Sequence, residues 1–408
     1  MVYPVFKVLQ KWGLVFTVVF SALFSTGCFS LTGSNEAASA SGSDKQAGVV
    51  MTERNNVQTK NNVQTKNVAD RADRAAGAVA GLLVGEALGL GTHWYYDMAA
   101  LHKEHGTWVD NYVDPKPDGD HMFAKVSKYR YDQGLRAGDV SQSGQIYILL
   151  LESMISEGRF NATDFFRRLD DLFETLDGES YSGRYTESLY RTLLKKRRDG
   201  LSWQSAGMAT SQDTSDGAQL IVLLAALYAD PEVFAREADQ FLKVMFSDSF
   251  TRGNQVAYGL VVQGLINGVA VQDINTYMRG LTKNKEIYRI VGGYDRFLTP
   301  GYGEVAQHQD LVTIKEPKYI SHVFGMDCQF MHLAPAAYYL LYRFPRDYEM
   351  ATLSASNGGG NNMARAALTG AMSGAVNGLN GIPKRFLEGL ADGEAIISKA
   401  RKLGDMVN

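Results

Sequence analysis

Val68 to Leu90 reads VADRADRAAGAVAGLLVGEALGL, and this stretch decides the fold. Gly77, Gly81, Gly85 and Gly89 recur every four residues, which places them on one face of a helix. Asp70 and Asp73 stand early in the run, where the positive end of a helix dipole favours acids. Glycine inside a helix costs about 1 kcal/mol relative to alanine, so close contact with a neighbouring helix has to offset the stripe. A second stripe lies near the other end of the chain, at Gly370, Gly374 and Gly378. The two stripes predict two small-residue helices, both central and in contact.

Outward from these stripes the pattern stays helical. Apolar periodicity predicts helices over Ser143–Ser156, Ala162–Leu176, Gly217–Tyr228, Pro231–Phe246, Asn254–Asn267, Asp273–Leu281 and His332–Phe344. Asn161 and the pair Asp230-Pro231 read as helix starts. Strand alternation is weak, with Tyr319–Phe324 as the best short candidate. The reading is an all-α chain folded as one large globule from Val68 onward. The composition agrees with a packed body: 45% of the 408 residues are hydrophobic and 21% charged, which excludes a wholly disordered, collagenous or coiled-coil chain. Lys+Arg 41 against Asp+Glu 44 leaves no basic excess for nucleic acid. Two cysteines exclude a disulfide scaffold and a cysteine-rich zinc site.

Before Val68 the sequence reads as an address and a tether. Lys7 and Lys11 flank the apolar run Gly13 to Phe24, which ends in Ser25-Thr26-Gly27-Cys28. That run is short for a membrane span, which needs ~20 residues, and fits a secretory signal. Small residues straight before Cys28, with a polar tail after it, resemble a bacterial lipoprotein signal; Ser25 stands where that signal usually has Leu. The expectation is a signal peptide over 1–27, lipidation at Cys28 and a disordered tether over 28–67. The tether includes the direct repeat NNVQTK at Asn55–Lys60 and Asn61–Lys66. The folded body, 68–408, would then face the periplasm of a bacterial cell envelope, with membrane contact through the lipid alone. Cys328 would remain as a sole cysteine that cannot pair within the chain, which favours burial.

Three segments together resemble the ADP-ribosylglycohydrolase family, which includes the dinitrogenase reductase-activating glycohydrolases and the J1 crystallins. The first runs from Arg74 through Gly85-Glu86-Ala87-Leu88-Gly89, where the family reads G-D-A-L-G. The second is Gly138-Asp139-Val140-Ser141-Gln142-Ser143-Gly144-Gln145, where the family reads T-D-D-T. The third runs from Asn357 to Pro383, NGGGNNMARAALTGAMSGAVNGLNGIP, where the family reads G-G-D-T-D-T and then a small-residue helix. The resemblance implies a single orthogonal all-α globule and cleavage of a glycosidic bond to ADP-ribose. It also implies two Mg²⁺ ions held by the second and third segments. Residue by residue, however, the metal aspartates fall on Gln142, Ser143, Asn361 and Met363. Neutral oxygens and a soft sulfur are poor Mg²⁺ ligands, so no metal cofactor is expected. The segment Gly91-Thr92-His93-Trp94-Tyr95-Tyr96-Asp97 resembles a divergent branch of the family with H-W-I-Y-D here, which also keeps an arginine matching Arg365.

These segments nominate the site. Glu86, on an apolar glycine-lined helix, suits a general acid, or else pairs with a buried arginine. His93 suits a proton shuttle with Asp97 fixing its tautomer, while Trp94 and Tyr96 offer faces for a base or sugar. Gly359, Gly360, Asn361, Asn362 and Arg365 read as a glycine-rich helix start that takes phosphate; the plain alternative is a glycine turn with an ordinary cap. Ser141, Gln142 and Ser143 read equally as ligand contacts or as a helix cap. Asp213 and Asp216 read mainly as caps of the helix at Gly217. Cys328 with His332 forms only a nominal nucleophile–base pair, and His102, His105 and His121 sit in loop-like sequence. The expected ligand is a ribosyl nucleotide or an ADP-ribosylated substrate, with no obligate protein partner. Three functions remain open: a metal-independent glycohydrolase, a ligand-binding pseudoenzyme, and a structural envelope lipoprotein.

Overall fold

The computed structural model describes residues 69–292 and 305–406; the signal, lipidation and tether readings lie outside them. The described residues hold seventeen α-helices and no β-strand. The first six are α1 (Arg71–Leu90), α2 (Met98–His105), α3 (Ala124–Asp132), α4 (Gln142–Glu157), α5 (Ala162–Glu174) and α6 (Ser188–Arg198). Next come α7 (Asp216–Leu227), α8 (Pro231–Leu242), α9 (Ser249–Ile266), α10 (Ile274–Leu281) and α11 (Lys285–Val291). After the second described segment begins, α12 (Ile320–Phe324), α13 (Phe330–Arg343), α14 (Tyr348–Ser356), α15 (Asn362–Asn377), α16 (Lys384–Gly389) and α17 (Gly393–Asp405) complete the order.

The two glycine-striped helices are α1 and α15, and they form the core of the molecule. Every residue of α1 from Ala75 to Leu90 is buried, as befits a helix that is apolar all round. The helices run antiparallel. A Cβ added at Gly77, Gly81, Gly85 or Gly89 would meet the backbone of Gly374, Gly370, Ala366 and Met363 respectively. α7, α9 and α17 pack against α1 around this pair. The cost of the glycines is thus offset by backbone-on-backbone packing that no side chain would permit.

Local signals placed most other elements. Asp70 caps α1 by accepting from Asp73 N, Asn161 caps α5, and Asp230 caps α8 with Pro231 in its first turn. The strand expected at Tyr319–Phe324 is instead a 3₁₀ turn, Pro317–Tyr319, running into α12. Ile320 and Ser321 are buried together while His322 and Val323 are both exposed, a pairing that alternation along a strand cannot produce. His102 and His105, expected in a loop, lie on α2.

Candidate functional site

Glu86 is the only acid in the buried length of α1 and is 1% exposed. The backbone N–H of Ser141 donates to both of its carboxylate oxygens, at 3.0 and 3.2 Å. Ser141 is the N-cap of α4 and accepts from Ser143 N, so the carboxyl faces the positive end of a helix. Gly144 makes the approach possible, since a Cβ there would lie 3.0 Å from Glu86 Oε2. Burial pushes the Glu86 carboxyl above the usual range; the Ser141 hydrogen bonds and the Arg130 and Arg184 charges pull it partly back.

The chain leaves α1 through Gly91 and turns at Trp94, whose φ of 67° is left-handed. For a bulky residue this is a strained conformation, held here by two backbone hydrogen bonds. Trp94 N donates to Gly360 O at 3.0 Å, and Gly360 N donates to Tyr95 O at 2.7 Å. The turn buries His93 to 3% exposure and sets its Nδ1 3.1 Å from Asn362 Oδ1. Asn362 Nδ2 donates to Ser356 O at 2.9 Å and to Thr92 Oγ1 at 2.7 Å. A carbonyl only accepts, so Nδ2 must face Ser356 and Oδ1 must face the imidazole. His93 Nδ1 therefore carries the proton, and Nε2 presents a lone pair with no protein partner. Burial, then the Arg130 charge, hold the ring pKa well below its ordinary value. His93 is a neutral base.

Glu86, His93 and Asn361 border one cavity of about 280 Å³, just under the 300–1,000 Å³ common for small-ligand sites. Trp94, Tyr96, Phe123, Tyr147 and Tyr185 supply aromatic walls. Trp94 stacks on His93 at 4.4 Å and meets Tyr185 edge-on at 5.5 Å. Tyr185 also has a left-handed φ, 74°, so two of the strained residues frame the same space. A larger depression of about 1120 Å³ at the far end of α1 is lined by exposed groups such as Arg346 and Arg401; it is open and holds none of the nominated residues.

The structure sorts the nominated residues by place. Glu86, His93, Trp94, Tyr96, Ser143 and Asn361 line the cavity. Asp97 does not: it is exposed and caps α2 by accepting from Ala99 N at 2.8 Å, so Asn362 rather than Asp97 fixes the imidazole. Ser141 serves Glu86 through its backbone, and Gln142 is turned away, accepting from Arg184 N and donating to Gln145. Gly359 and Gly360, at φ 67° and 59°, are not a phosphate nest. The Gly360 and Asn361 N–H groups are spent on Tyr95 O and Met326 O; the glycines allow close crossing of three segments. Arg365 is fully buried and donates to Ala355 O and Gly359 O, holding that turn rather than a ligand.

Other residues enter the cavity without having been nominated as its chemistry. Glu187 precedes α6 without capping it and reaches Arg130, with Nη2–Oε1 at 3.7 Å. Burial pushes its carboxyl up to about 7 against the pull of Arg130. Asp216, read as a cap, instead accepts from Ser143 Oγ and Thr214 Oγ1 at the cavity wall, and burial raises its carboxyl too. Asp213 is half-buried and does not line the cavity. A run of four cations ending α6 marks a helix end, and Glu187 just before that helix was the available clue. Cys328 is exposed at the cavity rather than buried. His332 pairs with Asp327 at 2.7 Å, not with the thiol.

The pair of Mg²⁺ ions implied by the resemblance does not fit these residues. Gln142 and Asn362 have their amides committed within the protein, and Ser143 and Asn361 offer neutral oxygens. Met363 meets a buried guanidinium, with Arg130 Nη1 4.0 Å from its sulfur. Among the described residues no three His, Cys, Asp or Glu side chains are grouped to hold a metal ion.

Comparison with known proteins agrees with the fold. An uncharacterized protein of Archaeoglobus fulgidus is 24% identical over 329 residues, spanning 80% of this chain and 95% of the relative. A solved structure described as an ADP-ribosylglycohydrolase-related protein complex superposes with a TM-score of 0.54 at 18% identity, covering 83% of this chain and 99% of its own; it shares the fold. The ADP-ribosylglycohydrolase family model matches residues 67–407. With its glycine-striped helix pair and its buried Glu86 and His93 set inside that match, the chain belongs to the ADP-ribosylglycohydrolase family.

Proposed function

We propose that the cavity hydrolyses a glycosidic bond to the ribose of an ADP-ribosyl or related nucleotide, without divalent metal. The observation that carries this reading is one cavity bordered by a carboxyl whose pKa burial raises, Glu86, and a neutral imidazole with a free lone pair, His93 Nε2. Glycoside cleavage needs a proton for the departing group and a base for water. Glu86 gives the proton and His93 Nε2 accepts one from water; Glu187, protonated up to about pH 7, is a second proton source at the same wall. The cavity volume suits a ribosyl unit and its leaving atom, with the rest of the nucleotide reaching solvent.

Thermal-shift titration with ADP-ribose and ribosyl nucleotides, with and without Mg²⁺, tests the reading, followed by turnover of any ligand that shifts the transition. Turnover that persists in EDTA supports it. A shift without turnover favours a ligand-binding pseudoenzyme, a reading supported by the engagement of both Glu86 oxygens with Ser141 N. The sequence also supports a lipid anchor at Cys28 that holds the domain in a bacterial envelope, facing the periplasm. Cys28→Ala should abolish lipid labelling and release the protein from membranes; unchanged partition would refute the anchor.

A further inference from the structure

Tyr147 lies on α4, one turn after Ser143, and is 1% exposed. It lines the cavity, yet its hydroxyl has no hydrogen-bond partner in the protein. Burial holds the phenol well above its ordinary pKa, so Oη keeps its proton and remains a donor. A buried polar group without a partner is costly, and proteins keep few of them. Ser143 lines the same wall, and its Oγ donates to Asp216 Oδ1 at 3.2 Å. With its proton given to Asp216, Ser143 Oγ has lone pairs left to accept with. One turn of α4 thus sets a donor and an acceptor side by side. A hydroxyl fits this pair, because it accepts and donates at once. A cation would face the Tyr147 donor. An anion would face the Ser143 lone pairs, with the Asp216 carboxyl behind them.

We propose that Tyr147 and Ser143 are the receptor for the ribose 2-hydroxyl, so that the cavity selects ribosyl over 2-deoxyribosyl ligands. The position of Glu86 picks out that hydroxyl. A Cβ on Gly144, the residue after Ser143, would lie 3.0 Å from Glu86 Oε2, so the acid adjoins this wall. Glu86 has to reach the atom leaving the anomeric carbon, and the 2-hydroxyl sits on the carbon next to it. Hydrogen bonds to this hydroxyl strengthen in the transition state of glycoside cleavage. A site built around a ligand hydroxyl also rejects the analogue that lacks it, because its buried polar groups are then left unpaired. The inference rests on the reading of the cavity as a glycosidic site, and it adds which sugar that site accepts.

Isothermal titration calorimetry on the full chain tests this with two pairs of probes. One is ADP-ribose and its analogue lacking the 2-hydroxyl of the terminal ribose; the other is AMP and 2′-deoxy-AMP. Wild type should bind the hydroxylated member of at least one pair about tenfold or more tightly than the deoxy member. Tyr147→Phe should lose most of that preference while binding the deoxy member as wild type does. Its melting temperature should not fall, because the lost hydroxyl had no partner in the protein. Wild type that binds neither pair would overturn the glycosidic reading and the inference together. Equal binding of hydroxylated and deoxy members would overturn the inference and leave that reading intact. A preference that survives Tyr147→Phe, or a variant that unfolds because the hydroxyl is structural, would overturn the role of Tyr147.

Discussion

Replacing Gly85 by alanine tests the packing that organises the whole domain. Two effects compete. Alanine is the better helix former by about 1 kcal/mol, which would stabilise α1. Against this, the new Cβ would meet Ala366 O, with Ala366 C at 2.6 Å and Ala367 N at 3.0 Å. Those atoms are backbone of α15 and cannot rotate away, so the two helices must separate. Overpacking of a dense core costs typically 1–3 kcal/mol, occasionally more, and here the separation strains the Gly81 and Gly89 contacts as well. The net effect should be a loss of about 2 kcal/mol or more. Gly280, near the end of α10, is the control: it is exposed and a Cβ there meets nothing within 4 Å. Gly280→Ala should therefore gain up to about 1 kcal/mol. Urea denaturation followed by circular dichroism measures both. If Gly85→Ala is neutral or stabilising, the helix pair is not in backbone contact and the account of the glycine stripe fails.

Asn362→Leu leaves His93 Nδ1 and Thr92 without their buried partner, and should cost about 1–3 kcal/mol; ¹⁵N NMR should show His93 losing its single Nδ1–H tautomer, and an unchanged tautomer would refute the assignment. The Glu187 carboxyl has its folded-state pKa raised from 4.5 to about 7, so between those values the unfolded chain gives up the proton first and wild type loses stability as pH rises. Glu187→Gln has no such proton, so its stability relative to wild type should improve from about pH 4.5 to 7 and then level off, by no more than about 3 kcal/mol; parallel pH curves would contradict this. In a Cys28→Ala background, Cys328 should be labelled by a maleimide in the folded state, faster at alkaline pH because partial desolvation at the cavity, then the Asp327 charge, raise the thiol, and a labelling rate limited by unfolding would show that it is buried.

The central helices were legible because glycine spacing is a local signal with a physical meaning: four-residue recurrence admits one explanation, a close helix crossing. The cavity was legible only in part. Glu86 and His93 stand beside that stripe and could be read from it. Their partners could not. Asn362 reaches His93 across 269 residues, and Asp97, four residues along, looked like the nearer choice. The Gly358–Gly360 run carried the sequence signature of an anion site, but the Gly360 and Asn361 amides are spent on Tyr95 O and Met326 O. A sequence shows which backbone groups are free to turn, not which are occupied. Arg130 gave no signal and Glu187 only its place just before α6, because each sits in ordinary polar helix-end sequence; only tertiary packing makes one of them buried and the other half-buried against it.

The glycine stripe and the chemistry are one arrangement. A Cβ at Gly89 would lie 2.6 Å from Met363 Cα, so the last turn of α1 meets the first turn of α15 at backbone distance. That contact brings the loop after Leu90 against Asn362 and lets one amide span His93, Thr92 and Ser356. It also puts Met363 beside Arg130. Widening the crossing by even one methyl would therefore lengthen the His93–Asn362 bond and loosen the wall that holds the guanidinium. Substitutions at the stripe should alter the cavity more than their distance from it implies.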